Sequence, residues 1–180
     1  LARRAGAYQA WYEHQPVRLD PPTGPDFRIH RRFEWGSVAT FHVLDTRQYR
    51  TDQPCGDGIQ ESCAGQDDPD ATMLGADQEA WLADGLAAST AVWQVLAQAV
   101  IFGPLPILES FNMDQWDGYR ACRARVWDAL SRKRNPVVIT GDVHASGAGR
   151  LHQVLDDASS PLVGHEFVGT SISSGFSTVD

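Results

Sequence analysis

The feature that most limits the fold is the order in which two apolar patterns alternate along the chain. Residues 38–44, 92–101 and 136–140 are short apolar runs rich in β-branched side chains, the pattern of buried strands. Between them lie segments whose apolar residues recur every three or four positions. Residues 74–89 carry Gln78, Trp81, Leu82 and Leu86, and a later segment carries Tyr119, Cys122, Val126, Ala129 and Leu130. That spacing lines one face of a helix. Strand, helix, strand, helix, strand is the order of an α/β protein with helices laid on the faces of a sheet. Phe33 and Trp35 alternate with charged residues before a Gly36-Ser37 turn and give the first strand a hairpin partner. Residues 151–155 and 166–172 read as two further strands. A helix over residues 3–14, with Tyr8, Trp11 and Tyr12 at helical spacing, is stopped by Pro16.

In such folds the site forms at the carboxyl ends of the strands. Asp45 and Asp142 both stand there. The run 136–140 continues into Gly141-Asp142-Val143-His144, and in an extended backbone side chains two positions apart project to the same side. Asp142 and His144 are therefore expected to meet at one cation, and carboxylate plus imidazole suits zinc, iron, manganese or a mixed site. The plainer reading has Asp142 capping backbone amides in a strand-to-loop turn, with His144 merely polar. Two donors fall short of the three protein ligands that a catalytic metal generally takes. Arg47, just past a strand end, has the fork to hold a phosphate by two hydrogen bonds. Alternatively, Asp45 and Arg47 pair with each other or with loop backbone to fix the turn, and Tyr49 and Arg50 are read as structural.

Other polar residues carry weaker expectations. Asn112, Asp114 and Asp117 precede a helix and are read as caps for its free amides, with an active-site loop as the alternative. Gln98 interrupts an apolar strand and must find a hydrogen-bond partner. Glu166 is either a group orienting a histidine or a solvated strand edge. His14, His30, His42, His152 and His165 have no partner at ligand spacing.

A chain of 180 residues is long enough for one domain with a real core. Its formal charge of -8 argues against a nucleic-acid-binding surface, and no stretch approaches the roughly 20 apolar residues of a membrane span. The first residue is Leu1 rather than methionine, so the sequence reads as a fragment or processed product. Residues 51–70 have no Lys or Arg but carry Asp52, Asp57, Glu61, Asp67, Asp68 and Asp70. This reads as a structureless insertion, a solvated loop or a lid, without the ligand spacing of an EF-hand. Cys55 and Cys63 flank part of that loop. They either pair, which implies an oxidising compartment, or serve as metal ligands lacking a second pair at zinc-finger spacing. Cys122, on the helical stripe, is expected to be a small buried hydrophobe.

Several stretches, in order, resemble the catalytic domain of PhoD-type alkaline phosphatases of the metallophosphoesterase superfamily. They are Arg3-Arg4-Ala5-Gly6-Ala7-Tyr8-Gln9-Ala10-Trp11-Tyr12-Glu13-His14, Leu44-Asp45-Thr46-Arg47-Gln48-Tyr49-Arg50, Leu74-Gly75-Ala76-Asp77-Gln78, Asn112-Met113-Asp114-Gln115-Trp116-Asp117-Gly118-Tyr119, Gly141-Asp142-Val143-His144 and the block 166–175 beginning Glu166-Phe167-Val168-Gly169. The resemblance implies a β-sandwich flanked by helices, with residues 1–180 as the carboxyl-terminal part of the domain. It implies a metal-dependent phosphatase or phosphodiesterase acting on small phosphate esters, exported to the periplasm or secreted. It also implies iron and calcium as cofactors, other divalent metals remaining open, with Asp142 and His144 as metal ligands. The family's earlier ligand blocks are not in this sequence. A serine hydrolase is a second reading, but around Ser146 the first glycine of a Gly-x-Ser-x-Gly elbow is replaced by His144. A non-catalytic binding module on the same scaffold is a third.

Overall fold

A computed structural model describes residues 1–171 and divides the chain into two compact units, Leu1–His30 and Arg31–Asp180. In the first unit, helix α1 spans Ala2–His14 and ends where Gln15 turns extended, the conformation that a following proline enforces. Tyr8, Trp11 and Tyr12 converge on Phe27 with ring centroids 5.6, 6.0 and 6.5 Å away. The aromatic stripe thus packs on one buried ring within its own unit.

The second unit holds strands β1 (Arg31–Trp35), β2 (Ala39–Val43), β3 (Ile59–Glu61), β4 (Trp93–Ala97), β5 (Ser110–Asn112), β6 (Pro136–Thr140), β7 (Gly147–His152) and β8 (Leu162–Val168). Helix α2 (Ala76–Ala88) lies between β2 and β4 in the chain, and α3 (Arg120–Ser131) between β4 and β6. Six strands form one sheet in the order β1-β2-β4-β6-β8-β7. β2, β4, β6 and β8 run parallel, while β1 and β7 close the two edges antiparallel.

Register explains the core. His42, Leu96, Val138 and Glu166 are aligned partners across four strands, so they share one face of the sheet. Leu96 and Val138 form a single cluster with Leu82 and Leu86 of α2 and with Val126 and Leu130 of α3. Both helices therefore cover the same face, whereas the sequence pattern placed helices on sheet faces generally. The opposite row runs Phe33, Phe41, Val95, Val137, His165. On that side Phe33, Trp93 and Phe167 remain 46%, 44% and 50% exposed.

Three expectations shift. β4 ends at Ala97 rather than at residue 101, because the Gln98 side chain folds onto Val100, accepting from its N–H at 3.1 Å and donating to its carbonyl. Such local bonds compete with the ladder. β7 begins at Gly147, ahead of the expected start at 151, in a Gly-Ala-Gly stretch that carries no apolar signal yet pairs with β8. β8 starts at Leu162, and Ile172, placed by the sequence in this strand, lies outside the described residues.

The acidic segment is not structureless. A Cys55–Cys63 disulfide closes it, β3 pairs with β5, and a 3-10 turn covers Ala64–Asp67. Gln66 is buried, donating to the Asp117 carbonyl at 2.9 Å and accepting from the Cys63 N–H at 3.0 Å. Its six acids all face solvent. Among the described residues, no helix is long and apolar enough to cross a membrane.

Candidate functional site

Two strand ends build the site. β2 runs through Leu44 into Asp45, whose Oδ1 accepts from the backbone N–H of Arg47 and of Gln48, both at 3.0 Å. Its Oδ2 accepts from Gln48 Nε2 at 2.5 Å. Gln78 of α2 grips the Asp45 backbone at both ends, through bonds of 2.8 Å to its N–H and its carbonyl. The Asp45 carboxylate is thus consumed in folding the turn, which matches the structural reading for that residue.

The turn delivers Arg47 to Asp114. Nη1 of Arg47 donates to both carboxylate oxygens at 2.7 Å, Arg50 Nη1 donates to Oδ1 at 2.7 Å, and Gln53 Nε2 adds a contact of 3.1 Å. Burial pushes the Asp114 carboxyl upward, but the bonds from Arg47 and Arg50 outweigh it and hold the group below the usual aspartate value. The other end of the Arg47 fork, Nη2, lies 3.7 Å from Asp142 Oδ1. Arg47 therefore spans Asp114 and the carboxylate of the Gly-Asp-x-His segment.

That segment does not present its side chains as expected. β6 stops at Thr140, and Asp142 (φ 75°) and His144 (φ 54°) both adopt left-handed backbone. Asp and His tolerate this region better than most residues, yet it is costly and clusters at functional sites. A tight bend, not strand pleat, carries the two groups. Val143 N–H donates back to the Gly141 carbonyl at 3.0 Å, and Gly141 N–H reaches Ala99 O at 3.2 Å. Asp142 caps no amide, and among the described residues neither it nor His144 spends its side chain on a hydrogen bond. Both donors remain available.

The bend stands on a buried polar platform. Glu166, 4% exposed, accepts from Phe102 N–H at 2.8 Å and Thr140 Oγ1 at 2.6 Å with one oxygen, and from Gly103 N–H at 2.8 Å with the other. It neither orients a histidine nor faces solvent: two backbone amides and a hydroxyl supply the compensation that burial demands. Gln98 donates to the same Thr140 hydroxyl at 2.6 Å and accepts from Trp116 Nε1 at 3.0 Å, a satisfied glutamine beneath the site.

The capping reading of the 112–117 acids is corrected. Among the described residues Asn112 Oδ1 accepts only from Asp114 N–H, at 3.0 Å, and α3 has no side-chain cap. Asp117 is buried against Arg123 at 2.6 Å and accepts from Leu105 N–H at 2.9 Å. Both partners of that pair are 3% exposed at the side chain, and a buried guanidinium takes precedence over a solvated helix end. Cys122 is buried as expected, but it donates to Glu79 Oε1 at 3.2 Å, and burial pushes its thiol up to about 11.

Four of the five other histidines are engaged in contacts away from the bend. His14 meets the Ala10 carbonyl, His152 the Ser160 carbonyl, and His165 stacks on Phe167. His42 lies between Arg32 and Gln94, and burial drives its pKa down to about 4. Ser146 precedes strand β7 rather than a helix, so a nucleophile elbow is not formed. It lines a largely apolar cavity of about 270 Å³ beside the bend, with Ile101, Leu105, Val143 and Leu151.

No three His, Cys, Asp or Glu side chains converge among the described residues. Asp142 and His144 fit part of a metal shell by donor chemistry. The buried Thr46 hydroxyl, next to Arg47, has no hydrogen-bond partner among the described residues. What the sequence reading missed is Asp114 as the hub of two arginines. Its only local sign was a second acid, Asp117, close enough to share the same capping interpretation.

A family model described as PhoD-like phosphatase matches residues 1–180. Alkaline phosphatase D of Bacillus subtilis (strain 168) is 48% identical over 187 residues, covering 100% of this chain and 32% of that protein. A solved structure titled "Structure of PhoD" superposes with a TM-score of 0.89 at 48% identity, covering 97% of this chain and 35% of that one. The chain thus spans about a third of the length of these relatives. With a match over its full length, the chain belongs to the PhoD-like phosphatase family.

Proposed function

We propose that the protein is a metal-dependent hydrolase of phosphate esters in which Asp142 and His144 are metal ligands and Arg47 binds the phosphoryl group. The observation that carries this reading is the approach of Arg47 Nη2 to Asp142 Oδ1, 3.7 Å apart although the two residues leave different strands. A phosphate binder and a carboxylate ligand must lie side by side if one ester is to meet both the guanidinium and the cation that the carboxylate would hold. Imidazole with carboxylate suits iron, and carboxylate oxygens suit calcium, the pair expected by resemblance. Such cations would supply charge stabilisation and activation of the attacking oxygen. Arg47 holds the phosphate oxygens in a fixed orientation, and Asp142 and His144, both in left-handed backbone, are exposed at the bend.

Two donors do not complete a catalytic site. We therefore assign the other ligands to parts of the longer relatives that this chain does not span, which makes these residues the carboxyl-terminal portion of the catalytic domain. The exposed apolar face of the sheet supports a second layer, as in a β-sandwich. The Cys55–Cys63 disulfide supports an exported enzyme.

The test uses the protein at the length of its relatives, with metal measured by elemental analysis and hydrolysis by p-nitrophenyl phosphate and its bis ester. Asp142→Ala and His144→Ala are each expected to strip metal and turnover without changing the circular dichroism. Full metal content in either variant sinks the ligand assignment. Tight stoichiometric metal and turnover in the 180-residue chain alone would refute the division of the site.

A further inference from the structure

We infer that Arg47, Arg50 and Asp114 act as one oxyanion-binding unit, with Asp114 a positioning residue for Arg47 and Arg50 the charge that keeps the unit cationic. The inference rests on the phosphatase reading above and specifies how its phosphate site is held.

Three observations carry it. First, Asp114 takes both bonds from one nitrogen of Arg47, Nη1, at 2.7 Å each. The Nε–H and Nη2–H edge then makes no hydrogen bond among the described residues, and it carries the parallel pair of donors that suits a phosphate bidentately. Pinning one corner of the guanidinium restricts a long side chain before ligand arrives, so less ordering is needed on binding.

Second, the charges do not cancel. Asp114 alone with Arg47 would be a neutral pair with little pull on a phosphate. Arg50, also bonded to Asp114 Oδ1 at 2.7 Å, leaves the trio with one net positive charge, which Asp142, 3.7 Å from Arg47 Nη2, balances except where a cation holds that carboxylate, as in the proposed function. Third, exposure separates the roles. The Arg47 side chain is 43% exposed, whereas Asp114 and Arg50 are 28% and 20% exposed. Only Arg47 presents itself to a ligand, while the other two stand behind it. Asp114 is itself fixed, by Gln53 Nε2 at 3.1 Å on its carboxylate and by Asn112 Oδ1 at 3.0 Å on its N–H.

Inorganic phosphate serves as the probe, through its inhibition constant against p-nitrophenyl phosphate hydrolysis by the protein at the length of its relatives. Asp114→Asn raises the net charge of the trio, so charge alone predicts tighter phosphate binding. Positioning predicts the opposite: an inhibition constant and a KM about tenfold higher, with kcat changed much less. Arg50→Gln keeps Asp114 on Arg47 but neutralises the trio. It is expected to weaken phosphate binding and to flatten its salt dependence. Unchanged or tighter phosphate binding in Asp114→Asn overturns the inference. Should that variant fail to fold, as judged by circular dichroism, Arg50→Gln decides: an unchanged inhibition constant and salt slope overturn it. If the unsubstituted protein neither hydrolyses the ester nor is inhibited by phosphate, the phosphatase reading falls and this inference with it.

Discussion

Glu166→Gln tests the platform under the Gly-Asp-x-His bend. The native carboxylate accepts from two backbone amides and the Thr140 hydroxyl, all at 2.6–2.8 Å. The amide retains one carbonyl oxygen, enough for Phe102 N–H and Thr140. Its NH2 then faces the Gly103 N–H, donor against donor. Leaving that buried amide unsatisfied costs about 1–3 kcal/mol, and weakening two charge-assisted bonds to neutral ones costs about 1–3 kcal/mol more. Relief from burying a charge returns part of this. There is little room to move away, since a Cβ on Gly103 would already sit 3.2 Å from both Glu166 Oε2 and Leu151 Cδ2. The expected net loss is about 2–4 kcal/mol, or roughly 5–15 °C in melting temperature for a chain of this size. Urea and thermal unfolding followed by circular dichroism at pH 7 measure it, and a loss below about 1 kcal/mol refutes the argument. Because Thr140 leads directly into Gly141 and Asp142, metal affinity should fall further than in a Cys55→Ser, Cys63→Ser variant of similar stability. Equal affinities in the two would show that the platform stabilises the fold without positioning the ligand.

Other outcomes follow from the same structure. Burial drives His42 from 6.5 to about 4, so below pH 6.5 the unfolded chain takes a proton that the folded protein refuses. Stability is then full above about pH 6.5 and falls as pH drops toward 4, by at most about 3 kcal/mol; His42→Gln should remove that slope in pH-dependent urea unfolding. Asp117→Ala strands the buried Arg123 guanidinium and should cost about 3–5 kcal/mol in equilibrium unfolding, with a value under about 1 kcal/mol contradicting the burial argument. Reducing Cys55–Cys63, separated by 8 positions, should cost about 2.5 kcal/mol on the chain-entropy account, seen as a lower melting temperature in dithiothreitol.

Local periodicity made much of the fold legible. The stripes of α2 and α3, the β1–β2 hairpin and the β6 strand all follow from spacing alone, because each buries one repeating face. The misplaced boundaries fall where side chains or pairing override the local pattern. β4 ends early at Gln98 and β7 starts early in glycine. The acidic segment looked structureless because its order comes from contacts far along the chain. β3 needs β5, and Gln66 needs the Asp117 carbonyl, neither of which leaves a mark in residues 51–70.

The site shows why an acid at a strand end is an ambiguous sign. Asp45 and Asp142 occupy equivalent positions after parallel strands, and both are candidate ligands on position alone. After Asp45 the chain folds back so that the N–H groups of Arg47 and Gln48 land on its carboxylate. That turn exhausts the acid and aims the arginine. At Asp142 and again at His144 the backbone is left-handed, and among the described residues no amide returns to the Asp142 carboxylate. One acid becomes scaffold and the other keeps its lone pairs, a difference that goes with the backbone at and after each acid. Asp114 completes the logic from a third segment, since its carboxylate is engaged by two arginines, of which Arg47 is held in the Asp45 turn. A disturbed Asp45 turn, as in Asp45→Ala, should therefore reach phosphate binding through Arg47 while leaving the bend at Asp142 in place.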